Sequence, residues 1–203
     1  MRYTEQHKEQ TRERILGEAS QRLRKDGIAG TGLAPLMQGV GLTHGAFYAH
    51  FPTKDALVDA ALDTAVKETL ARWPHPAGPA QLRAFIDDYL SPQHRDDPGQ
   101  GCPLSSLAAE LGLRGTPSAT TDVLVARFAR RLDACTLEAG PHHGLVALAA
   151  LVGAMTLARS VMDGPTSNRI LAAVHAALAV PAWRAATPVT DSAPAAPASP
   201  AVG

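Results

Sequence analysis

The chain has 203 residues and a formal net charge of +0, with 45% hydrophobic, 19% charged and 4% aromatic residues. This is enough chain to bury a core without disulfides or metals; the balance excludes a disordered or fibrous protein, and scarce aromatics lean toward packed helices rather than a β-sandwich. A neutral total provides no long-range field to attract nucleic acid, so any DNA binding has to come from a local surface.

In chain order, Ile15, Ala19 and Leu23 repeat every four residues with Leu16 beside them, which predicts an amphipathic helix over residues 11–25. Lys25, Asp26 and Gly27 close it, with Gly27 available for a left-handed cap. A short second helix follows over 33–40, where Leu33, Leu36, Met37 and Val40 share a face and Pro35 is tolerable only in the first turn. After Gly41 and Leu42, Thr43 can cap a third helix over 43–51, with Phe47 and Phe51 four apart on its inner side. Two short helices joined by a tight glycine turn make a helix-turn-helix. Pro52 ends it, and a longer helix is predicted from Thr53 to about Trp73, with Leu57, Val58, Ala61, Leu62 and Ala65 in one stripe.

The proline-rich stretch 74–79 punctuates the chain, and the small N-terminal unit ends there or slightly before it. Further helices are expected near 81–90, 103–113, 119–139, 145–163 and 167–180, with loops at 91–101, 114–118, 140–141 and 164–165. No strand pattern survives. The expected fold class is all-α, divided into a helix-turn-helix DNA-binding domain at 1–55, a helical ligand-binding and dimerisation domain at 56–181, and a disordered Ala/Pro tail at 182–203. The uncharged run 144–158 falls short of the roughly 18 to 20 apolar residues that span a bilayer, so a buried helix is expected and no membrane partner.

Within 27–57, the order Gly41, Leu42, Thr43, His44, Gly45, Ala46, Phe47, Tyr48, Ala49, His50, Phe51, Pro52, Thr53, Lys54, Asp55, Ala56, Leu57 resembles the DNA-binding signature of the TetR family of transcriptional repressors. The resemblance covers about the first 60 residues. It implies a homodimer bound to a near-palindromic double-stranded DNA operator and released by an unidentified small-molecule effector, with the last two long helices of each subunit forming the dimer interface.

Physical chemistry gives the same positions a role. A short helix fits the major groove, and side chains at its N-terminal end reach base edges. His44 is the candidate base reader, since an imidazole can donate or accept, and Gly45 and Ala46 leave room for close approach. Thr43 could cap or touch phosphate; Tyr48 and His50 resemble family positions on the phosphates or groove wall; Lys54 combines a charge with a helix start. Many relatives carry Thr or Ser where this chain has Gly32, so Thr31 is the substitute expected there. Residues 1–60 hold nearly as many acidic as basic side chains, so affinity depends on placement and on pairing two copies. Arg2, His7, Lys8 and Arg12 read as a basic arm able to reach flanking phosphates, or as a solvated one.

The stretch Gly101, Cys102, Pro103, Leu104, Ser105, Ser106, Leu107, Ala108, Ala109, Glu110 resembles a segment of one TetR branch, some of whose members sense electrophiles or oxidants through the cysteine. Cys102 near a helix start is therefore a sensor candidate with a lowered thiol pKa, or a small buried core residue; Cys135 reads as core. A pocket is expected among Phe85, Tyr89, Phe128, Met155 and Arg159, and a dimer face on Ala147, Ala150, Leu151, Ala154, Leu157, Ala158, Val161, Leu171, Val174 and Leu178, with an internal core as the other reading of both sets. Adjacent His142 and His143 lack a third ligand, so neither a metal nor another cofactor is expected. Without a Ser-His-Asp set or paired carboxylates nothing points to an enzyme, although an all-helical enzyme or small-molecule binding protein with the helix-turn-helix as mere scaffold is the rival class. The two cysteines and the absence of a signal-peptide core in residues 1–14 make the cytoplasm the expected compartment.

Overall fold

The computed structural model describes residues 5–74, 78–115, 117–134 and 142–179. The elements in order are α1 (Glu5–Gly30), α2 (Leu33–Gly39), a 3-10 segment (His44–Ala49), α3 (Lys54–Arg72), α4 (Pro79–Tyr89), α5 (Pro92–Asp96), a 3-10 turn (Pro98–Gln100), α6 (Leu104–Leu113), α7 (Ala119–Ala134), α8 (His143–Ser160) and α9 (Gly164–Ala179). The described residues hold no strand. The expectations for Arg2, Cys135 and the tail lie outside them.

Two apolar cores organise the chain. The first is the head: Ile15, Ala19 and Leu23 of α1 close on Leu36 and Met37 of α2, on Phe47 and Phe51, and on Leu57, Val58, Ala61 and Leu62 in the first half of α3. Leu107 and Leu111 of α6 complete it. The second is the body: Val66 from the later part of α3 and Trp73 just past its end pack with Tyr89, Leu124, Phe128, Leu148, Leu151, Met155 and Leu171. Full burial of side chains of this size contributes roughly 1.5–3 kcal/mol each, so both cores are substantial. Polar bonds tie α1 to α3 between them: Arg24 Nη2 donates to Glu68 Oε2 at 2.5 Å, and Ser20 Oγ donates to the same oxygen at 2.9 Å.

Several boundaries differ from expectation. The first helix begins at Glu5, so His7, Lys8 and Arg12 are helical rather than part of a free arm. Gly27 has φ 77° and ψ 169°, outside the left-handed helical cap expected there, and the chain makes one more turn before Gly30. Residues 91–101, read as loop from their Pro and Gly content, contain α5 because Ser91 accepts from His94 N and Pro92 occupies the first turn; Asp97 then accepts from Gln100 N to start the 3-10 turn. Gly164 and Pro165 likewise open α9 instead of forming a loop, with the Asp163 carboxylate accepting from Thr166 N at 2.8 Å. The Thr166 bonds hold the Asp163 carboxyl below its ordinary pKa.

Helix α8 reaches 18 residues with mean hydropathy 1.4, so its length and apolarity do meet a membrane-crossing criterion that the uncharged run alone missed. Its Ala147, Leu151, Ala154 and Met155 side is buried in the body core.

Candidate nucleic-acid interface

The turn between α2 and the 3-10 segment is a Schellman closure. Leu42 N donates to Met37 O at 2.9 Å and Gly41 N to Gln38 O at 2.9 Å, with Gly41 at φ 71°. A left-handed residue is needed there, and glycine takes that conformation without penalty. Arg14 Nη2 donates to Val40 O at 2.6 Å, fixing the end of α2 against α1.

The segment after the turn is not the α-helix expected over 43–51. Ala46 N donates to Thr43 O at 3.0 Å and His50 N to Phe47 O at 2.9 Å, the i to i+3 bonds of a 3-10 helix over His44–Ala49. Thr43 has extended backbone and is exposed, and its side chain makes no cap bond. Gly45 and three ring-bearing residues give little intrinsic support to an α-helix, and burial of Phe47 fixes the segment instead. Six residues at about 2 Å rise span about 12 Å, close to the major groove's width.

Phe47 is fully buried and stacks on Phe51 with ring centroids 5.8 Å apart. On that base Thr43, His44 and Gly45 are exposed, Ala46 is half-buried, and Tyr48 is 62% exposed. The Tyr48 ring meets His44 edge-on at 6.0 Å and Phe47 at 5.1 Å.

His50 is half-buried, and its Nδ1 has no hydrogen-bond partner. Its pKa is lowered by burial first, then by the cations of Lys8 and Arg12. Those charges were read as an arm; the structure puts them on α1 beside the far end of the 3-10 segment, with the Arg12 guanidinium over the Phe51 ring at 5.1 Å. No signal in the sequence joins Arg12 to Phe51.

Lys54 opens α3, where Thr53 Oγ1 accepts from Ala56 N at 3.0 Å. Its ammonium donates to Ile28 O at 3.2 Å, so it also fastens α3 to the end of α1. Thr31 is buried and its hydroxyl donates to Gly27 O at 2.7 Å. It does not cap α2, whose N-cap position is Gly32 and has no side-chain cap bond.

In the body, Cys102 is fully buried, and burial pushes its thiol pKa up. This is the reverse of the lowered value expected from the nearby helix start, because desolvation outweighs the hydrogen bonds the site offers. The thiol lies beside the Tyr89 hydroxyl, which is buried and makes no hydrogen bond of normal geometry; burial also raises the Tyr89 pKa. His94 links the two: its Nδ1 bonds Tyr89 O at 2.7 Å and its Nε2 accepts from Cys102 N at 3.0 Å. That pairing fixes a neutral ring, and burial pushes the His94 pKa to about 4. Arg159 donates to Arg95 O, Ser105 Oγ and His94 O at 3.0, 3.0 and 2.6 Å. Phe85 and Phe128 stack at 5.8 Å next to Trp73, and Met155 is fully buried with them. The residues expected to line a pocket are thus gathered in one place, packed against one another.

A cleft of about 510 Å³ opens elsewhere, between head and body, over Ile28, Val58, Leu62 and Leu111 with Asp59, Asp63 and Arg114 at its walls.

Of the expected dimer face, Ala147, Leu151, Ala154, Ala158 and Leu171 are buried within the chain's own core. Leu157 is 57% exposed, and Ala150, Val161, Val174 and Leu178 are half-buried. Val146, Ala149, Ala172, Ala173, Ala176 and Ala177 are exposed on the same two helices.

Residues 15–61 match the sequence model of the bacterial regulatory proteins, tetR family. No curated protein sequence matches this chain. Among solved structures, a TetR transcriptional regulator from Chloroflexus aurantiacus superposes with TM-score 0.69 at 23% identity, covering 85% of this chain and 96% of that one. The reduced form of E. coli NemR gives 0.65 at 20% identity, covering 84% and 95%. A TetR-family regulator from Cytophaga hutchinsonii gives 0.65 at 21%, covering 85% and 94%.

Proposed function

We propose that the chain is a transcriptional repressor, since residues 15–61 match the model of the bacterial regulatory proteins, tetR family, and the chain shares the fold of such regulators. In this reading residues 1–55 read DNA, 56–181 bind an effector and dimerise, and the tail 182–203 takes no part. The observation that carries it is the exposed face of Thr43, His44, Gly45 and Tyr48 on the buried Phe47 and Phe51 floor.

His44, Gly45 and Ala46 meet base edges, while Thr43, Tyr48 and His50 meet the backbone or groove wall, and Lys8 and Arg12 add charge beside them. Lys54 contributes through its charge and through its hold on Ile28. Thr31, buried and bonded to Gly27, supports the turn before α2 from inside.

Two copies meet through the exposed apolar sides of α8 and α9, including Ala150, Leu157, Val161, Val174 and Leu178, and the pair addresses a near-palindrome. What supports this is an apolar face across both helices that one chain leaves open. The effector binds in the body among Cys102, Phe85, Tyr89, Phe128, Met155 and Arg159. The support there is the buried Tyr89 hydroxyl without a normal hydrogen bond, an arrangement that a polar ligand group would complete. An effector acts only if it prefers one arrangement of the heads.

The test is selection of binding sites from random DNA, followed by polarisation titration at two salt concentrations. The unsubstituted chain should return one near-palindromic, salt-sensitive site. His44→Ala should relax preference at one position per half-site, by about 1–3 kcal/mol, with the melting temperature unchanged. An identical site logo would remove His44 from base reading, and no enriched site would reject the repressor.

A further inference from the structure

We propose that Glu110 is a positioning residue for DNA recognition: its carboxylate, carried on α6, sets the angle of the head against the body. The proposal rests on the DNA-binding reading and adds the joint through which the body acts.

The joint begins at Gly27. Its φ of 77° with ψ of 169° belongs to a region open in practice to glycine alone, and it interrupts the ladder of α1. The amides of Ile28 and Ala29 follow directly on this break. One carboxylate takes both: Glu110 Oε2 accepts from Ile28 N at 2.8 Å, and Oε1 from Ala29 N at 2.8 Å. Charge-assisted bonds of this kind are stronger than neutral ones. A β-carbon at position 27 would stand 2.9 Å from Glu110 Oε2, so glycine also permits the approach. Arg114, one turn on, lies 3.9 Å from Oε1, a looser pairing than either amide bond.

Helix α6 has a hold on both parts of the molecule. Leu107 and Leu111, on the same face as Glu110, are buried in the head core. At its other end Ser105 Oγ accepts from Arg159 and donates to Cys102 O at 2.9 Å, and Ser105 O accepts from Thr156 Oγ1 at 3.2 Å. Ten residues at about 1.5 Å rise make a rod about 15 Å long between the body's polar cluster and the head.

The turn that Glu110 grips leads straight into Thr31 and α2. Its Ile28 carbonyl accepts from Lys54 at the start of α3. A shift of α6 therefore moves both supports of the 3-10 segment together. In a dimer the angle of each head fixes the separation of the two half-sites it can reach.

The test uses full-length protein and a series of palindromes built from the selected site, identical in half-site and differing only in the spacer. The unsubstituted chain should favour one spacing. Glu110→Ala should lose about tenfold in affinity at that spacing and flatten the profile, while affinity for non-specific DNA and dimer mass stay unchanged. Glu110→Gln, isosteric and left with one acceptor oxygen, should fall between them, and it decides the matter if Glu110→Ala does not fold. An unchanged profile in Glu110→Gln, or an equal loss at every spacing and on non-specific DNA, would overturn the proposal while leaving DNA binding intact. Absence of specific binding by the unsubstituted chain would overturn the DNA-binding reading and this proposal with it.

Discussion

Head and body are held together by different kinds of connection. In the head many bonds join near neighbours, among them Gly41 N to Gln38 O, Leu42 N to Met37 O, Ala56 N to Thr53 Oγ1 and Phe47 stacked on Phe51, with Arg14 to Val40 O, Lys54 to Ile28 O and Glu110 on Ile28 and Ala29 as the longer ties. In the body they reach across the chain, with Arg159 donating to His94 O, Arg95 O and Ser105 Oγ, and Arg95 Nη1 donating to Asn168 Oδ1 at 2.6 Å. The surface proposed to present His44 and Tyr48 to DNA is built largely from such local bonds. The interior proposed to take an effector is tied by long-range polar bonds, a satisfied network that specifies one geometry.

The largest test of that contrast is Arg159→Leu. It leaves two main-chain carbonyls and a hydroxyl without their donor, and urea unfolding should show a loss of about 3 kcal/mol. A change below about 1 kcal/mol would mean that apolar packing alone holds the body.

Next comes acid. His94 is held neutral with a folded pKa of about 4 against an ordinary 6.5. Between those values the unfolded chain binds a proton that the folded ring refuses, so stability is complete above pH 6.5, falls as the pH is lowered toward 4, and shows no further His94 effect below that. The full span is about 3 kcal/mol. His94→Leu, measured over the same range, should lose this part of the slope; parallel curves would assign it to the carboxylates.

The smallest effect belongs to the head. Gly41→Ala meets no atom within 4 Å but must adopt φ 71°, and should cost about 1 kcal/mol in thermal unfolding, with Gly41→Asn costing less. A neutral Gly41→Ala would show that the turn relaxes, and that local rules hold the head less tightly than the bond pattern implies.

The same contrast explains what the sequence revealed. Phe47, Phe51, Gly41 and the stripe Leu57, Val58, Ala61, Leu62 announce themselves through spacing, and all lie where periodicity places them. The 3-10 winding of His44–Ala49 is hidden because six residues make only about two turns, too short a run for spacing to separate a period of 3.0 from one of 3.6. Ser91 and Pro92 carry an ordinary helix-start signal, masked by the prolines and glycines around it. Burial of Cys102 is one of the two readings its sequence context leaves open, and Tyr89 and Arg159 fall in the expected pocket set, but the link through His94 and the targets of Arg159 are not legible, since those groups meet only after the helices pack. Lys54 and Thr31 show a subtler limit: their bonds to Ile28 and Gly27 depend on how α1 ends, which the kink at Gly27 decides.

Helix α3 contributes Leu57, Val58, Ala61 and Leu62 to one core and Val66, followed by Trp73 at its C-cap, to the other. The head is consequently not a cassette. A chimera that grafts a new reading unit onto this body has to carry the first half of α3 with it and match the sockets for Leu107 and Leu111, whereas a junction in the proline-rich stretch after Trp73 would transplant part of the body's foundation as well. Diversification of such a chain proceeds most readily on the outward positions around Tyr48, where new specificity can be written without recutting the column beneath.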